Sequence, residues 1–189
     1  MRQVFCRVFL DSWRGAKYTA FKCGKVNSVT LPVNLLKLGQ KVSAIREAME
    51  KLTPFAGLDL QDYLSDEKGV AASKYYLLVA TEAAIDICNH LLVRLAKRVP
   101  NSYAECFELL AEKRVISGPL AEKLARMAKF RNLLVHQYGY VDDRKVHAII
   151  RNDLTDLDRY LNEVAAFLKT KCRPEGDLAK GWPWKNSSV

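Results

Sequence analysis

The sequence predicts an all-α protein, a compact bundle of four to five helices with an irregular or short β extension at its N-terminus. Two observations support this fold class. Apolar residues recur every three or four positions in five successive segments, which is the spacing that places them on one face of a helix. Short turns marked by glycine, proline or capping residues separate these segments, and no strand pattern occurs within them.

The first two helices are predicted on either side of Pro54. An apolar stripe over residues 35–52 indicates the first helix, which we expect to end at Pro54 because proline interrupts the backbone hydrogen bonds of a helix. A second and longer pattern extends from about Leu60 to Arg98, and the proline that follows shortly afterwards marks its end.

Capping residues mark the starts of three further helices. Ser102 and Glu105 have the spacing of a capping box and predict the start of the third. Residues 117–119 read Ser-Gly-Pro and predict the start of the fourth, since proline is tolerated in a first turn. Asp142 is the expected cap of the fifth, whose apolar stripe covers residues 146–168.

We divide the chain into three parts: a basic N-terminal extension over residues 1–32, a helical domain over residues 33–171, and a loose C-terminal tail over residues 172–189. The extension contains six Lys or Arg and one Asp, so it supplies more than half of the net charge of +9. A basic arm attracts nucleic acid without sequence preference. Simple solubility is the plain alternative.

The composition is that of an ordinary soluble protein, with 49% hydrophobic and 27% charged residues in a chain of 189. No apolar run reaches the ~20 residues that a membrane-spanning helix needs. The five cysteines are scattered without a Cys-x-x-Cys pair, and the three histidines form no His-x3-His pair. These spacings argue against a disulfide framework and against a zinc site. We expect a cytoplasmic protein with no metal, no cofactor and no membrane contact.

Residues 131–138 read Arg-Asn-Leu-Leu-Val-His-Gln-Tyr and combine a cation, an amide, an imidazole and a phenol in a short, otherwise apolar segment. Arg131 can hold a phosphate through a forked hydrogen bond. His136 can transfer a proton near neutral pH. Together they suffice for metal-free chemistry on a phosphodiester. The plain alternative is structural, with the histidine bound to the last helical carbonyls and the arginine covering a core edge.

The pattern Arg131-x4-His136-x-Tyr138, at the end of a helix and before a turn, resembles the signature of the HEPN superfamily in its HepT-like toxin branch. The resemblance spans roughly residues 34–170. It implies a ribonuclease that acts as the toxin of a type VII-like toxin–antitoxin module, with Arg131 and His136 as catalytic residues. Asn132 would orient the imidazole or donate to the phosphate, and Lys129 is a candidate phosphate contact.

The resemblance also assigns a role to Tyr138. In that family the tyrosine of the motif accepts AMP from a partner nucleotidyltransferase, the MntA-like antitoxin. A bulky anion beside His136 would repel the RNA phosphate and occupy its place, which is how the modification would neutralise the toxin. Tyr140 is a second candidate acceptor.

The spacing of the motif creates a geometric problem. On an ideal helix, positions 131 and 136 point about 140° apart, so one unbroken helix does not aim both side chains at the same phosphate. Either the helix distorts or ends near Val135, or a second copy completes the site. HepT-like proteins form dimers in which the two motifs face each other across a cleft. We therefore predict a two-fold homodimer, which also supplies two histidines.

Two further sets of residues have open roles. Glu82, Asp86 and Asn89 share one side of the second predicted helix, and they either form a solvated, hydrogen-bonded face or brace Arg131. His90 and His147 have no motif around them, and we expect ordinary surface or capping residues. A second function also remains open: a non-catalytic helical partner, or nucleotide-binding companion, of a nucleotidyltransferase.

Overall fold

The structure, a computed structural model, describes residues 33–95, 100–137 and 140–171. Over these ranges it confirms the all-α class, with six helices and no strand. The predicted N-terminal extension and C-terminal tail lie outside the described residues. The helices are α1 (Leu35–Ala56), α2 (Leu60–Ser65), α3 (Glu67–Leu95), α4 (Tyr103–Glu112), α5 (Gly118–His136) and α6 (Asp143–Lys171).

The long helix α3 is the centre of the bundle and packs against the five other helices. Small and branched apolar residues cover most of its circumference, which lets the neighbouring helices approach it from several sides. By length and composition α3 could also cross a membrane. However, 56% of its most apolar stretch is buried inside the bundle, which is the pattern of a core helix.

Two helix boundaries near α2 differ from the prediction: the end of the first predicted helix, and a break within the second. The second predicted helix is two helices, because the backbone turns at Asp66 and the Asp66 carboxylate accepts a hydrogen bond from the Gly69 N–H (2.9 Å) at the start of α3. A side chain at Gly69 would collide with that carboxylate. The first helix continues through Pro54 and ends at Ala56, since a proline near the last turn removes only one backbone donor.

The predicted starts of α4, α5 and α6 are confirmed. The Ser102 hydroxyl accepts a hydrogen bond from the Glu105 N–H (3.1 Å) at the start of α4, and Asp142 immediately precedes α6. Ser117 precedes α5 without capping it through its side chain. Instead, the N–H and hydroxyl of Ser117 both bind the carboxylate of Glu163 on α6 (2.6 and 3.1 Å), which ties the first turn of α5 to α6.

His147 is a core residue, so the prediction of a surface or capping role for it was wrong. Only 5% of its surface is exposed. Its ring stacks on Tyr63 with 4.8 Å between the centroids, and its Nε2 lies 3.0 Å from the carbonyl oxygen of Leu58. A buried imidazole needs such a partner, and the loop between α1 and α2 supplies it. This contact could not be predicted from a sequence pattern, because the carbonyl belongs to a residue 89 positions away.

Cys88 of α3 and Cys106 of α4 form a disulfide, so the expectation from the scattered spacing that the cysteines would not pair was wrong for these two. Both residues are fully buried, as expected for their positions on apolar helix faces. Their Cα atoms lie 6.2 Å apart because α4 packs directly against α3. This pair fixes the first turns of α4 against the second half of α3.

Candidate functional site

The helix that carries the motif is regular up to its last residue. α5 ends at His136, and the Gln137 N–H still donates to the carbonyl of Leu133 (2.8 Å) in the helical pattern. No distortion therefore turns Arg131 towards His136. The two side chains leave opposite sides of one helix, about 140° apart. The helix ends one residue after Val135, so within one subunit Arg131 and His136 are not turned towards each other.

Arg131 lies on the side of α5 that faces the core, in line with Leu124 and Ala128. Only 15% of its side chain is exposed. Its Nε and Nη2 atoms both donate to Oε1 of Glu82 on α3, and its Nη1 donates to Oδ1 of Asn132 (3.2 Å). The guanidinium is thus held from two directions, and Asn132 contacts the arginine of the motif.

Tyr103 completes the surroundings of the guanidinium. It is the first residue of α4, and the Arg131 Cζ atom lies over its ring, 5.2 Å from the centroid. The ring remains 37% exposed. No sequence pattern indicated this residue as part of the site. Its position directly after the predicted cap Ser102 was available from the sequence, but its proximity to Arg131 depends on how α4 and α5 pack.

The other face of α5 carries the remaining motif residues. Lys129, Asn132, Leu133 and His136 fall within about 100° of each other around the helix axis, and all four are exposed. An amide and an imidazole at positions i and i+4 are neighbours on such a surface. His136 is therefore available to a substrate, with Asn132 placed between it and Arg131.

Of the three polar residues predicted on one side of α3, only Glu82 binds the motif. Asp86 forms an ion pair with Lys41 of α1 (2.6 Å), and Oδ1 of Asn89 lies 3.3 Å from the Cys106 sulfur. The partner of each residue depends on which helix packs beside it. Glu82 faces α5, Asp86 faces α1 and Asn89 faces α4.

Of the two candidate AMP acceptors, Tyr140 belongs to the described residues. Tyr138 lies outside the described residues. Tyr140 is 92% exposed, and its N–H donates to the carbonyl of Gln137 (2.9 Å) in the short turn between α5 and α6. Any group bound to the Tyr140 hydroxyl would project into solvent.

Several exposed apolar side chains lie on α3 and α5, the two helices that carry Glu82 and the motif. Tyr75 and Val93 are each 59% exposed and lie on the same face of α3 as Glu82, one before it and one after it along the helix. Leu133 (47%) and Val135 (42%) of α5 are also exposed. Leu133 lies on the His136 face of α5, whereas Val135 lies on the same side of the helix as Arg131.

A groove of about 610 Å³ lies between the α4–α5 turn and the end of α6, and none of its lining residues belongs to the motif. Among the described residues, no group of three His, Cys, Asp or Glu side chains could hold a metal ion.

The sequence profile of the family described as "Ribonuclease HepT-like" matches residues 45–164. The chain belongs to this family. The matched range includes Glu82, Tyr103 and the whole motif, and it confirms the family resemblance drawn from the motif.

Two curated relatives of the HepT-like chain are named as nucleases. A tRNA nuclease HepT from Aphanizomenon flos-aquae is 28% identical over 130 residues, which are 69% of this chain and 88% of that protein. An mRNA nuclease HepT from Shewanella oneidensis is 32% identical over 85 residues, which are 45% of this chain and 64% of that protein.

A solved structure has the same fold as the HepT-like chain. It is a tri-AMPylated HEPN toxin from Shewanella oneidensis in complex with an MNT antitoxin. The similarity has a TM-score of 0.63 at 25% sequence identity and covers 69% of this chain and 97% of that one.

Proposed function

We propose that this HepT-like chain is a cytoplasmic, metal-independent ribonuclease and the toxin of a toxin–antitoxin module. The observation that carries this proposal is the restraint of Arg131. Its guanidinium is held by Glu82 and Asn132 beside an exposed aromatic ring, at the one place in the chain where the family motif occurs. Catalytic groups are commonly fixed in this way by the side chains behind them.

The proposed reaction uses the 2′-hydroxyl of RNA as the nucleophile. An imidazole removes the proton from this hydroxyl, the oxygen attacks the adjacent phosphorus, and the 5′-oxygen of the next nucleotide leaves with a proton supplied by a general acid. The upstream fragment then ends in a 2′,3′-cyclic phosphate. His136 performs the proton transfers, and Arg131 stabilises the charge that develops on the phosphate oxygens. Lys129 is exposed on the His136 face and contacts a neighbouring phosphate.

A homodimer supplies the geometry that one subunit lacks. Because α5 is regular, Arg131 and His136 of one subunit do not converge on one phosphate. A two-fold arrangement brings the motif helices of two copies together, so that one copy's Arg131 acts with the other copy's His136. The exposed Leu133, on the His136 face of α5, provides apolar surface for this contact.

The proposed partner is an MntA-like nucleotidyltransferase antitoxin that transfers AMP to Tyr138. The solved relative supports this, since it is an AMPylated toxin bound to an MNT antitoxin. Tyr138 is two residues from His136, so an attached AMP would place negative charge where the RNA phosphate has to bind. Tyr140, with its exposed hydroxyl, remains the alternative acceptor.

The Glu82–Arg131 ion pair also fits a second function, in which the chain is a non-catalytic partner of a nucleotidyltransferase. In that case the ion pair would only join α3 to α5. The two functions differ in the effect of expressing the chain without an antitoxin. The ribonuclease arrests growth, and both Arg131→Ala and His136→Ala relieve the arrest, whereas a non-catalytic partner causes no arrest.

The proposal is tested by incubating the purified protein with total cellular RNA in EDTA and mapping the cut ends. We expect discrete cuts that end in cyclic phosphate, and a loss of at least about 100-fold for Arg131→Ala and for His136→Ala. Arg126→Ala is the matched control, because Arg126 is an exposed arginine on the same helix. Intact RNA with the unmodified protein, or equal cutting by His136→Ala, would reject the proposal.

A further inference from the structure

We propose that Tyr103 is the base-binding residue of this site, a platform on which the base next to the scissile phosphate stacks. The inference rests on the proposed function, since it assumes that Arg131 holds a phosphate. It adds a residue that binds the bases of single-stranded RNA, whereas Arg131 binds only the charge of the phosphate. Unpaired bases are commonly held by stacking on aromatic side chains.

The separation of the two groups fits one nucleotide. The Arg131 Cζ atom is 5.2 Å from the centre of the Tyr103 ring. A phosphate bound to the outer edge of that guanidinium brings the base of the same nucleotide within reach of the ring. Glu82 holds the Nε and Nη2 side of Arg131, so the phosphate has to approach from the remaining Nη1 side, which Asn132 also borders.

Tyr103 is more exposed than the aromatic residues of the core. Phe107 lies one turn further along α4 and is fully buried against Tyr160, with 5.8 Å between the ring centroids. Tyr103 is 37% exposed, although it begins the same helix. Phe107 is fully covered and offers no ring surface to a ligand. The exposed part of Tyr103 leaves a ring surface available to a base.

The backbone that carries Tyr103 is fixed, as a stacking platform requires. Ser102 caps the helix through the Glu105 N–H (3.1 Å), and the Glu105 carboxylate accepts a hydrogen bond from the Asn101 N–H (2.5 Å). One turn later, Cys106 is joined to Cys88 of α3. The ring therefore keeps its place relative to Arg131 and needs little ordering when a base binds.

A stacking contact at Tyr103 would add affinity that the reduced charge of Arg131 does not supply. The Glu82 carboxylate neutralises much of the charge of Arg131, which weakens a purely electrostatic attraction for RNA. Stacking does not depend on releasing counterions, whereas phosphate binding does. The contribution of Tyr103 to affinity is therefore expected to be the same at low and high salt.

The test compares two probes that share a backbone charge but differ in bases. Fluorescence anisotropy measures binding of an oligouridylate of about twelve nucleotides, and of an abasic oligodeoxynucleotide of equal length, to full-length protein carrying His136→Ala to prevent cleavage. Tyr103→Leu should weaken oligouridylate binding about 5- to 100-fold, by the same factor at about 0.05 and 0.2 M salt. Tyr103→Phe, the matched control, should bind within about twofold of the parent.

The abasic probe identifies the cause of any loss. Its affinity should be unchanged by Tyr103→Leu, because it offers no base to stack. Equal losses for both probes would mean that Tyr103 acts by positioning Arg131, and the inference would be wrong. It would also be wrong if Tyr103→Leu changed neither affinity, or if the variant dissociated into monomers by analytical ultracentrifugation, which would place Tyr103 in a subunit contact.

Failure of this inference is distinguishable from failure of the proposed function. If the parent protein cuts RNA and Tyr103→Leu cuts oligouridylate at the parental rate and KM, only the role of Tyr103 falls. If the parent protein neither binds nor cuts RNA, the ribonuclease proposal itself falls.

Discussion

Glu82 on α3 holds Arg131 on α5 by accepting hydrogen bonds from both its Nε and Nη2 atoms at one carboxylate oxygen. The two residues are 49 positions apart in sequence. This ion pair fixes the orientation of the guanidinium before any substrate arrives, and it leaves the opposite edge of Arg131 for a phosphate. Glu82 is therefore a positioning residue of the proposed ribonuclease rather than a catalytic one.

Replacing Glu82 should impair catalysis through the position of Arg131. We expect Glu82→Ala to lower kcat for RNA cleavage about 10- to 100-fold, because a misplacement of about 1 Å in a catalytic group has an effect of this size. Glu82→Gln keeps an acceptor oxygen and should lose less. Asp86→Ala is the matched control, since Asp86 shares this face of α3 but pairs with Lys41, and its rate should stay within about twofold. Equal losses for Glu82→Ala and Asp86→Ala would refute a specific role of Glu82.

Lys74 should be important for stability because its ion pair is largely buried. Its Nζ atom lies 2.5 Å from the carboxylate of Asp143, the first residue of α6, and the two side chains are 9% and 35% exposed. Lys74→Met should lower the free energy of unfolding in urea by about 1–3 kcal/mol, since a partly buried carboxylate loses its partner.

Lys41→Met provides the comparison for Lys74. Lys41 pairs with Asp86, but both side chains are almost half exposed (45% and 47%). An exposed pair contributes at most about 1 kcal/mol. The same loss of stability in both variants would contradict the difference in burial on which this prediction depends.

Arg114 adopts a backbone conformation that favours glycine. Its φ is 57°, and it follows the end of α4 at the position where the chain reverses. The Val115 N–H binds the carbonyl of Leu110 (2.9 Å) and the Arg114 N–H binds that of Ala111 (2.9 Å), which is a Schellman motif. Arg114→Gly should raise the free energy of unfolding by about 0.5–1 kcal/mol, and Arg114→Ala should leave it nearly unchanged. A glycine variant no more stable than the alanine variant would argue against this strain.

His90 should make stability depend on pH. Its Nε2 accepts a hydrogen bond from the Asn34 N–H (3.1 Å), which only the neutral ring can do. Burial lowers the pKa of His90, and the nearby charges of Arg94 and Lys37 lower it further. The unfolded chain therefore binds this proton more readily, and stability should fall as the pH drops below about 6.5. In urea titrations at several pH values, His90→Gln should show a smaller fall than the parent. An identical pH dependence would exclude His90 as its source.

Local sequence signals were sufficient where a structural feature depends on neighbouring residues. The caps Ser102 and Asp142 act within one turn, and both starts are confirmed. The break at Asp66 is equally local, and Asp66 followed by Gly69 is a capping signal, but the continuous apolar spacing on both sides obscured it.

Contacts between distant helices could not be derived in this way. Glu82 was one of three polar residues on one side of α3, and only the packing of α5 against α3 selects it as the partner of Arg131. The position of Tyr103 at the start of α4 was predictable, but its contact with Arg131 was not, because that contact depends on the angle at which α4 meets α5. The disulfide of Cys88 likewise follows from the packing of α4 on α3.

The central claim is that Arg131 of one subunit and His136 of another act on the same phosphate. It is tested most directly by co-expressing the unmodified chain with the double variant Arg131→Ala, His136→Ala in varying proportions and measuring RNA cleavage. If each site needs two intact subunits, an equal mixture should retain about a quarter of the activity of the same total amount of unmodified protein. An activity of about half, in proportion to the intact chains present, would mean that each subunit cuts RNA alone and would contradict the account.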